Sequence, residues 1–132
     1  MNTSNPLSHR NKVLFYLLLF ITSLSFVLAQ TKTTVESILE NPDNYDGELV
    51  EVVGKVENFK SKVSKRGNAY ITFDLRGESA SITVFSFGRF NLSNGDRVKV
   101  VGYFQKEKNV GRYTFYNEID ATDGSITKLK GK

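Results

Sequence analysis

The sequence has no cysteine and no tryptophan, and its one histidine, His9, lies near the N-terminus. Without cysteine the chain can form neither a disulfide framework nor a thiolate metal site. Beyond residue 9 there is also no imidazole to act as a base or to bind a metal at neutral pH. The composition therefore predicts a protein that holds no metal or other cofactor and is not an enzyme.

Acidic residues are absent from the first 30 positions. Arg10 and Lys12 precede an apolar stretch over residues 13–29, and small side chains near Ala29 offer a cleavage position. This order is typical of a secretory signal peptide. An uncleaved anchor is the alternative, because about 17 apolar residues lie at the short limit for a membrane-spanning helix. Both readings predict export, so the protein is periplasmic, secreted, or anchored with its remainder facing outside.

The overall charge gives little evidence about a ligand. The chain has 18 basic and 14 acidic residues, a net charge of +4. Because the leader holds two of the basic residues and no acid, the remainder has a net charge of only +2. Only the placement of the charges can therefore argue for a polyanionic partner.

A short helix is predicted ahead of the strands. Thr33 and Glu36 stand at the spacing of a capping box, and Asn41-Pro42 ends the helix. A helix of one or two turns is unstable alone, so it must dock on the rest of the domain. The predicted organisation is a signal peptide or anchor over residues 1–29, a linker with this helix over 30–46, and a folded domain over 47–127.

The folded domain contains five segments in which apolar and polar residues alternate, the pattern of half-buried strands. Gly54 and Gly102 lie within two of them, as suits the bends of a small barrel. Phe115 and Ile119 are expected to be buried in the last segment. The pattern predicts an all-β, five-stranded antiparallel barrel with one short N-terminal helix. The five segments cover residues 50–57, 69–76, 82–87, 97–104 and 113–121.

Four stretches of these strands resemble the OB-fold, in the nucleic-acid-binding form found in anticodon-binding and single-strand-binding domains. The stretches are Val50-x-Val52-x-Gly54-x-Val56, Tyr70-x-x-Phe73-x-Leu75, Ile82-x-Val84-Phe85 and Gly95-Asp96-x-Val98-x-Val100-x-Gly102. The resemblance covers about residues 47–121, and it implies a ligand across strands two and three, between the loops that join strands one to two and four to five. The family often has a helix between strands three and four, where residues 88–95 leave room only for a turn. The N-terminal helix is the candidate to fill that part of the barrel.

Basic residues are concentrated in the two loops that the resemblance places beside the ligand, residues 60–68 and 105–112. These loops hold one acid, Glu107, and seven basic residues: Lys60, Lys62, Lys65, Arg66, Lys106, Lys108 and Arg112. We predict phosphate contacts from these side chains. The alternative is a pair of solvated hairpin tips, in which lysine discourages aggregation between strand edges.

Alternation also predicts which side chains face outward. If Ile71, Phe73 and Leu75 face the core with Ile82 and Val84, the outward set contains three aromatic rings suited to stacking on bases. The N-terminal helix could instead cover Phe85 and Phe87, which would make them core residues. Asp74 is expected to pair with Arg76 or Arg89. The full outward set is Tyr70, Thr72, Asp74, Thr83, Phe85 and Phe87.

The sequence favours an exported binding module that holds single-stranded nucleic acid with little dependence on base sequence. The alternative is a periplasmic or cell-surface adaptor that binds a protein or an anionic envelope polymer. Export favours the adaptor, because single-stranded nucleic acid is scarce outside cells. A secreted nuclease is disfavoured, since it would need clustered acids and additional helices. The ligand's identity and the oligomeric state stay open.

Overall fold

The computed structural model describes residues 29–130. The predicted signal peptide or anchor lies outside the described residues except for Ala29. The described part folds into six strands and two short helices, neither of which is long and apolar enough to span a membrane. The elements are β1 (Thr31–Lys32), α1 (Val35–Glu40), α2 (Pro42–Tyr45), β2 (Leu49–Val63), β3 (Ala69–Arg76), β4 (Ser81–Phe87), β5 (Arg97–Val110) and β6 (Tyr113–Lys128).

Five of the six strands pair in a cycle. The order runs β2, β3, β4, β6 and β5, and β5 pairs again with β2. The β4–β6 pairing is parallel, and β1 adds to β2 in parallel. The predicted all-β class is confirmed, whereas a wholly antiparallel arrangement of five strands is wrong. Two residues are too few for alternation to reveal β1, and alternation does not report strand direction.

The N-terminal segment forms two helices where the sequence predicted one. The predicted capping box of Thr33 and Glu36 is wrong: Thr34 caps α1, because its Oγ1 accepts a hydrogen bond from the Ser37 amide at 3.1 Å, and the Glu36 side chain bonds to the β3–β4 turn instead. The predicted stop at Asn41-Pro42 is correct, but Pro42 also begins α2. Proline is favoured at a first helical position because the amide hydrogen it lacks would have no partner there.

The predicted inward face of the sheet is confirmed. Ile71, Phe73 and Leu75 on β3 and Ile82 and Val84 on β4 are all at most 2% exposed. Strand alternation places every second side chain on one face, and burial of these five removes their apolar surface from water. The opposite face of the same strands is left to form a site.

Helix α1 closes one end of this core. Its Val35 and Ile38 are fully buried. Glu36 fastens the helix to the β3–β4 turn by accepting hydrogen bonds from the Ser79 amide at 2.9 Å and the Ala80 amide at 3.3 Å. The Ser79 bond is the main reason that the pKa of Glu36 lies below its ordinary value. The helix therefore docks beside residues 77–80.

Gly54 and Gly102 lie where strands approach closely. A side chain at Gly102 would place its Cβ 2.5 Å from the carbonyl oxygen of Asp120, and one at Gly54 would lie 2.5 Å from that of Arg76. The β5–β6 register also shifts between Val101 and Tyr103. Only glycine allows the neighbouring backbone to come this near.

Two long hairpin arms extend beyond the core, and they correct the predicted loops. Strand β2 runs to Val63 and β5 to Val110, so residues 64–68 and 111–112 alone form the turns. The arms are strands whose side chains are mostly polar, so their sequence lacks apolar alternation. Because the β5–β6 arm extends beyond the core, Phe115 on this arm is 44% exposed, contrary to prediction, whereas Ile119 is fully buried as predicted.

Candidate nucleic-acid interface

Strand register arranges the outer face of the sheet in three rows. Residues paired across neighbouring strands point to the same face, and successive outward positions lie roughly 7 Å apart along a strand. The aromatic row is Lys62, Tyr70 and Phe87; the middle row is Lys60, Thr72, Phe85 and Asp120; and the acidic row is Asp74, Thr83 and Glu118.

These rows form the floor of an open cleft of about 910 Å³. The β2–β3 arm contributes Lys60, Lys62 and Ser64 to the lining, and the β5–β6 arm contributes Lys108, Val110 and Phe115. The arms are far apart in the sequence, yet the strand cycle brings both to the same cleft. This is the surface that the sequence predicted for the ligand.

Three aromatic rings lie together on the cleft floor. The ring centroids of Tyr70 and Phe85 are 5.7 Å apart, and Phe85 meets Phe87 edge to face at 5.0 Å. Phe87 is 48% exposed and Phe85 is partly exposed. Because α1 docks at the β3–β4 turn, the alternative in which it seals these two rings is wrong. The cluster presents ring surface to the cleft.

Lys108 is held in place by carboxylates. Its Nζ lies 3.1 Å from Glu118 Oε1 and 3.7 Å from Asp120 Oδ2. The same ammonium sits 4.4 Å from the centroid of the Phe85 ring, a cation–π contact. The Glu118 side chain is only 7% exposed, so removing its partner would leave a buried charge. Lys108 therefore balances the charge inside the cleft and is not free for a phosphate.

Lys106 points away from the cleft. Its Nζ donates to Asp43 Oδ1 at 2.6 Å, and its backbone amide donates to Asp46 Oδ1 at 2.9 Å. The hydrogen bond to Asp43 is the main cause that raises the pKa of Lys106 above its ordinary value. This lysine ties β5 to the segment around α2.

Three predicted residues lie at the tips of the arms. Lys65 and Arg66 are exposed in the β2–β3 turn. Arg112 lies against its neighbour Tyr113, with the guanidinium carbon 5.3 Å from the ring centroid and a 3.3 Å hydrogen bond to the hydroxyl. With Lys106, these are the four predicted residues outside the cleft. The seven predicted residues that line it are Lys60, Lys62, Tyr70, Thr72, Phe85, Phe87 and Lys108.

The cleft also contains acids that the site prediction left out. Glu118 and Asp120 alternate with buried Ile119, which is a signal that both face outward. The parallel β4–β6 pairing sets Glu118 beside Thr83 and Asp120 beside Phe85, and the sequence does not show that pairing. Among residues 29–130, no group of three or more His, Asp and Glu side chains is placed to hold a metal ion.

Asp74 does not pair with either predicted arginine. Asn58 Nδ2 donates to Asp74 Oδ2 at 2.8 Å, while Arg76 pairs with Glu57 at 3.3 Å. Asp74 therefore brings a third carboxylate to the cleft, beside Glu118 and Asp120. Three lysines line the same cleft: Lys60, Lys62 and Lys108. The lining is thus balanced in charge, with its unpaired cations on the β2–β3 side.

Comparison with solved structures identifies the fold. One chain of the yeast Stn1 and Ten1 crystal structure superposes with a TM-score of 0.60 at 14% identity, covering 81% of this chain and 66% of that chain. The OB domain of Ta0387 from Thermoplasma acidophilum gives 0.51 at 18% identity, covering 78% and 91%. A Leishmania major Friedlin protein assigned as an aspartyl-tRNA synthetase gives 0.56 at 16% identity, covering 82% of this chain and 22% of that one.

These similarities and the strand cycle define the chain as an OB-fold protein. At this level of identity the comparison establishes the fold. No protein-family model matches the sequence, and no curated protein matches it.

Proposed function

We propose that the cleft binds single-stranded nucleic acid, with bases stacked on Tyr70, Phe85 and Phe87 and phosphates beside Lys60 and Lys62. The observation that carries this proposal is the continuous cluster of three rings on the floor of an open cleft. Among the ion pairs of residues 29–130, neither Lys60 nor Lys62 takes part. Both cations are therefore available on one wall.

Stacking supplies affinity with little dependence on base identity. Each base on an aromatic ring contributes about 1–3 kcal/mol, and every base has a π-face. The OB-fold commonly uses this surface between the two hairpins for ligands. The rings thus support a sequence-tolerant component of binding, to which the lysines add a salt-dependent component.

The test compares Phe87→Ala with Tyr116→Ala in binding to a fluorescently labelled deoxythymidine decamer. Phe87 lines the cleft, whereas Tyr116 is 67% exposed and lies outside the lining, so it is a matched aromatic control. Loss of one stacked base predicts that Phe87→Ala raises Kd by at least about fivefold. Tyr116→Ala should leave Kd unchanged.

Equal Kd values for the two variants would contradict the proposed stacking site. The assay also addresses the adaptor role. If the wild-type protein fails to bind any oligonucleotide at about 50 mM salt, yet captures one envelope protein or anionic polymer in a nuclease-treated extract, the adaptor role replaces nucleic-acid binding.

We also propose that the protein acts outside the cytoplasm and does not catalyse a reaction. Export is supported by the basic and apolar pattern of residues 9–29. Absence of catalysis is supported by the lack of cysteine and of histidine beyond residue 9. Fractionation of the native host should recover the protein outside the cytoplasm, and recovery in the cytoplasmic fraction would overturn the first proposal. Mass spectrometry distinguishes a cleaved leader, which gives a mature chain that begins at Gln30, from an uncleaved anchor. Degradation of the oligonucleotide by the pure protein with magnesium would overturn the second proposal.

A further inference from the structure

We propose that Asp74 and Asn58 select guanine at one position of the bound strand. The inference rests on the proposed function, because it assigns a base to a cleft that holds nucleic acid. Stacking on the aromatic rings accepts any base, whereas a carboxylate accepts hydrogen bonds and cannot donate them. The acidic row therefore distinguishes bases by the donors on their edges.

Asp74 is the cleft carboxylate best placed to meet a base. Glu118 and Asp120 are both engaged by Lys108, and the Glu118 side chain is 7% exposed. Asp74 has no lysine or arginine partner among the described residues, and it is partly exposed in the cleft lining. Asn58 donates to its Oδ2 at 2.8 Å, which leaves Asp74 Oδ1 and Asn58 Oδ1 as acceptors.

The backbone holds Asn58 in this position. Asn58 has a φ of 51°, in the left-handed region, and the β2–β3 register shifts between Glu57 and Lys60. The next amide, that of Phe59, donates to Asn94 Oδ1 at 2.9 Å, which fastens the bulge to the turn before β5. Bulges of this kind re-aim a side chain next to a site. The amide is thus directed to Asp74 by the fold.

The position of Asp74 along β3 places Asp74 and Asn58 close to the stacking rings. On β3, Asp74 follows Thr72, which lies beside Phe85 in the middle row. Outward side chains two residues apart are separated by roughly 7 Å, about the width of a base. A base stacked on Phe85 can therefore turn one edge towards Asp74 and Asn58.

Guanine is the base whose edge fits two neighbouring acceptors. Its N1–H and its exocyclic amino group are adjacent donors, so each can meet one of the two oxygens. Thymine and uracil have a single N–H between two carbonyl acceptors. Adenine and cytosine each place an acceptor nitrogen beside the amino group. A carbonyl or ring nitrogen facing Asp74 would leave that carboxylate oxygen unpaired, which opposes binding.

The experiment measures Kd for three labelled decamers: all thymidine, the same strand with one central guanine, and the same strand with hypoxanthine there. Hypoxanthine has the N1–H but lacks the amino group. Since one paired contact of this kind is worth about 1–3 kcal/mol, the wild-type protein should bind the guanine strand about tenfold more tightly than the thymidine strand. Hypoxanthine should recover only part of that preference.

Asp74→Asn is the test variant, and Asp123→Asn is the control with the same change of charge. Asp123 is exposed on β6 and lies outside the cleft lining. Asp74→Asn should abolish the guanine preference while the thymidine strand still binds, and Asp123→Asn should retain it. Thermal melting of both variants checks that they fold.

Each of the remaining outcomes overturns a different part of the reasoning. A wild-type protein that binds the thymidine and guanine strands equally overturns the inference and leaves the proposed function standing. An unchanged preference in folded Asp74→Asn, or a preference lost equally in Asp123→Asn, overturns the role of Asp74. Failure to bind all three strands refutes the proposed function itself.

Discussion

The salt dependence of binding reports how many cations around the cleft contact phosphates. Seven basic residues lie in the predicted loops, but Lys106 and Lys108 are engaged by carboxylates and Arg112 lies against Tyr113. Four remain, all on the β2–β3 arm: Lys60 and Lys62 line the cleft, and Lys65 and Arg66 are exposed at the tip of the same arm, where they can meet phosphates beyond the cleft. At about −0.7 per phosphate on a single strand, four contacts give a slope of about −3 in log Kobs against log salt, whereas seven give about −5.

These slopes are easily separated by fluorescence anisotropy. Between about 50 and 200 mM salt, a slope near −3 weakens binding by about 50-fold, and a slope near −5 weakens it by about 1,000-fold. The double variant Lys60→Gln/Lys62→Gln should reduce the slope to about −1.4, because two phosphate contacts are removed. Lys106→Gln, the same change at a lysine bound to Asp43, should leave the slope unaltered.

Two results would refute this reasoning. A wild-type slope near −5 would show that the lysines in salt bridges release their carboxylates to meet phosphates. A slope reduced as much by Lys106→Gln as by one lysine of the β2–β3 arm would show that long-range charge, and not contact with the cleft, governs binding.

Three further predictions concern folding. Glu36→Gln should lower Tm at pH 7, and the difference from the wild type should shrink as the pH falls: because the pKa of Glu36 is lowered in the folded state, its stabilisation is present above the ordinary value of 4.5 and is lost as the pH falls through the lowered pKa. Ile38→Ala, at a fully buried site in α1, should lower the free energy of unfolding in urea by about 2–5 kcal/mol. Gly102→Ala should lower it by about 1–3 kcal/mol or more, because the new Cβ would lie 2.5 Å from the Asp120 carbonyl oxygen. No shift in the urea midpoint for either variant would contradict the packing at that site.

The inward and outward faces of the central strands could be predicted from local pattern. Alternation in β3 and β4 assigns Phe73 and Val84 to the core and Tyr70 and Phe85 to the outside, because the side-chain period of a strand is two. The turn before β5 and the end of α1 follow from Gly95 and Pro42 in the same local way. These assignments need no information about contacts between residues that are far apart in the sequence.

The ends of the strands could not be predicted from the local sequence pattern. The arms beyond the core are held by ladder hydrogen bonds between backbones, so Lys60 and Lys62 are strand residues without an apolar repeat. The same arms hold Phe115 away from the core, where it is 44% exposed. Exposure there depends on how far the hairpin projects, which no short stretch of sequence records.

Residue type and spacing decided which side chains could bear charge and which rings could face outward. Three-dimensional packing decided which cations are available to phosphates. Asp43 neutralises Lys106 although the two residues are 63 positions apart in the sequence. The parallel β4–β6 pairing sets Asp120 beside Phe85, where Lys108 contacts both the carboxylate and the ring. The physical reason is the difference in the distance along the sequence over which the two effects act. The period of a strand acts over neighbouring residues, whereas an ion pair depends on the final distance between two atoms, and the closed cycle of strands sets that distance.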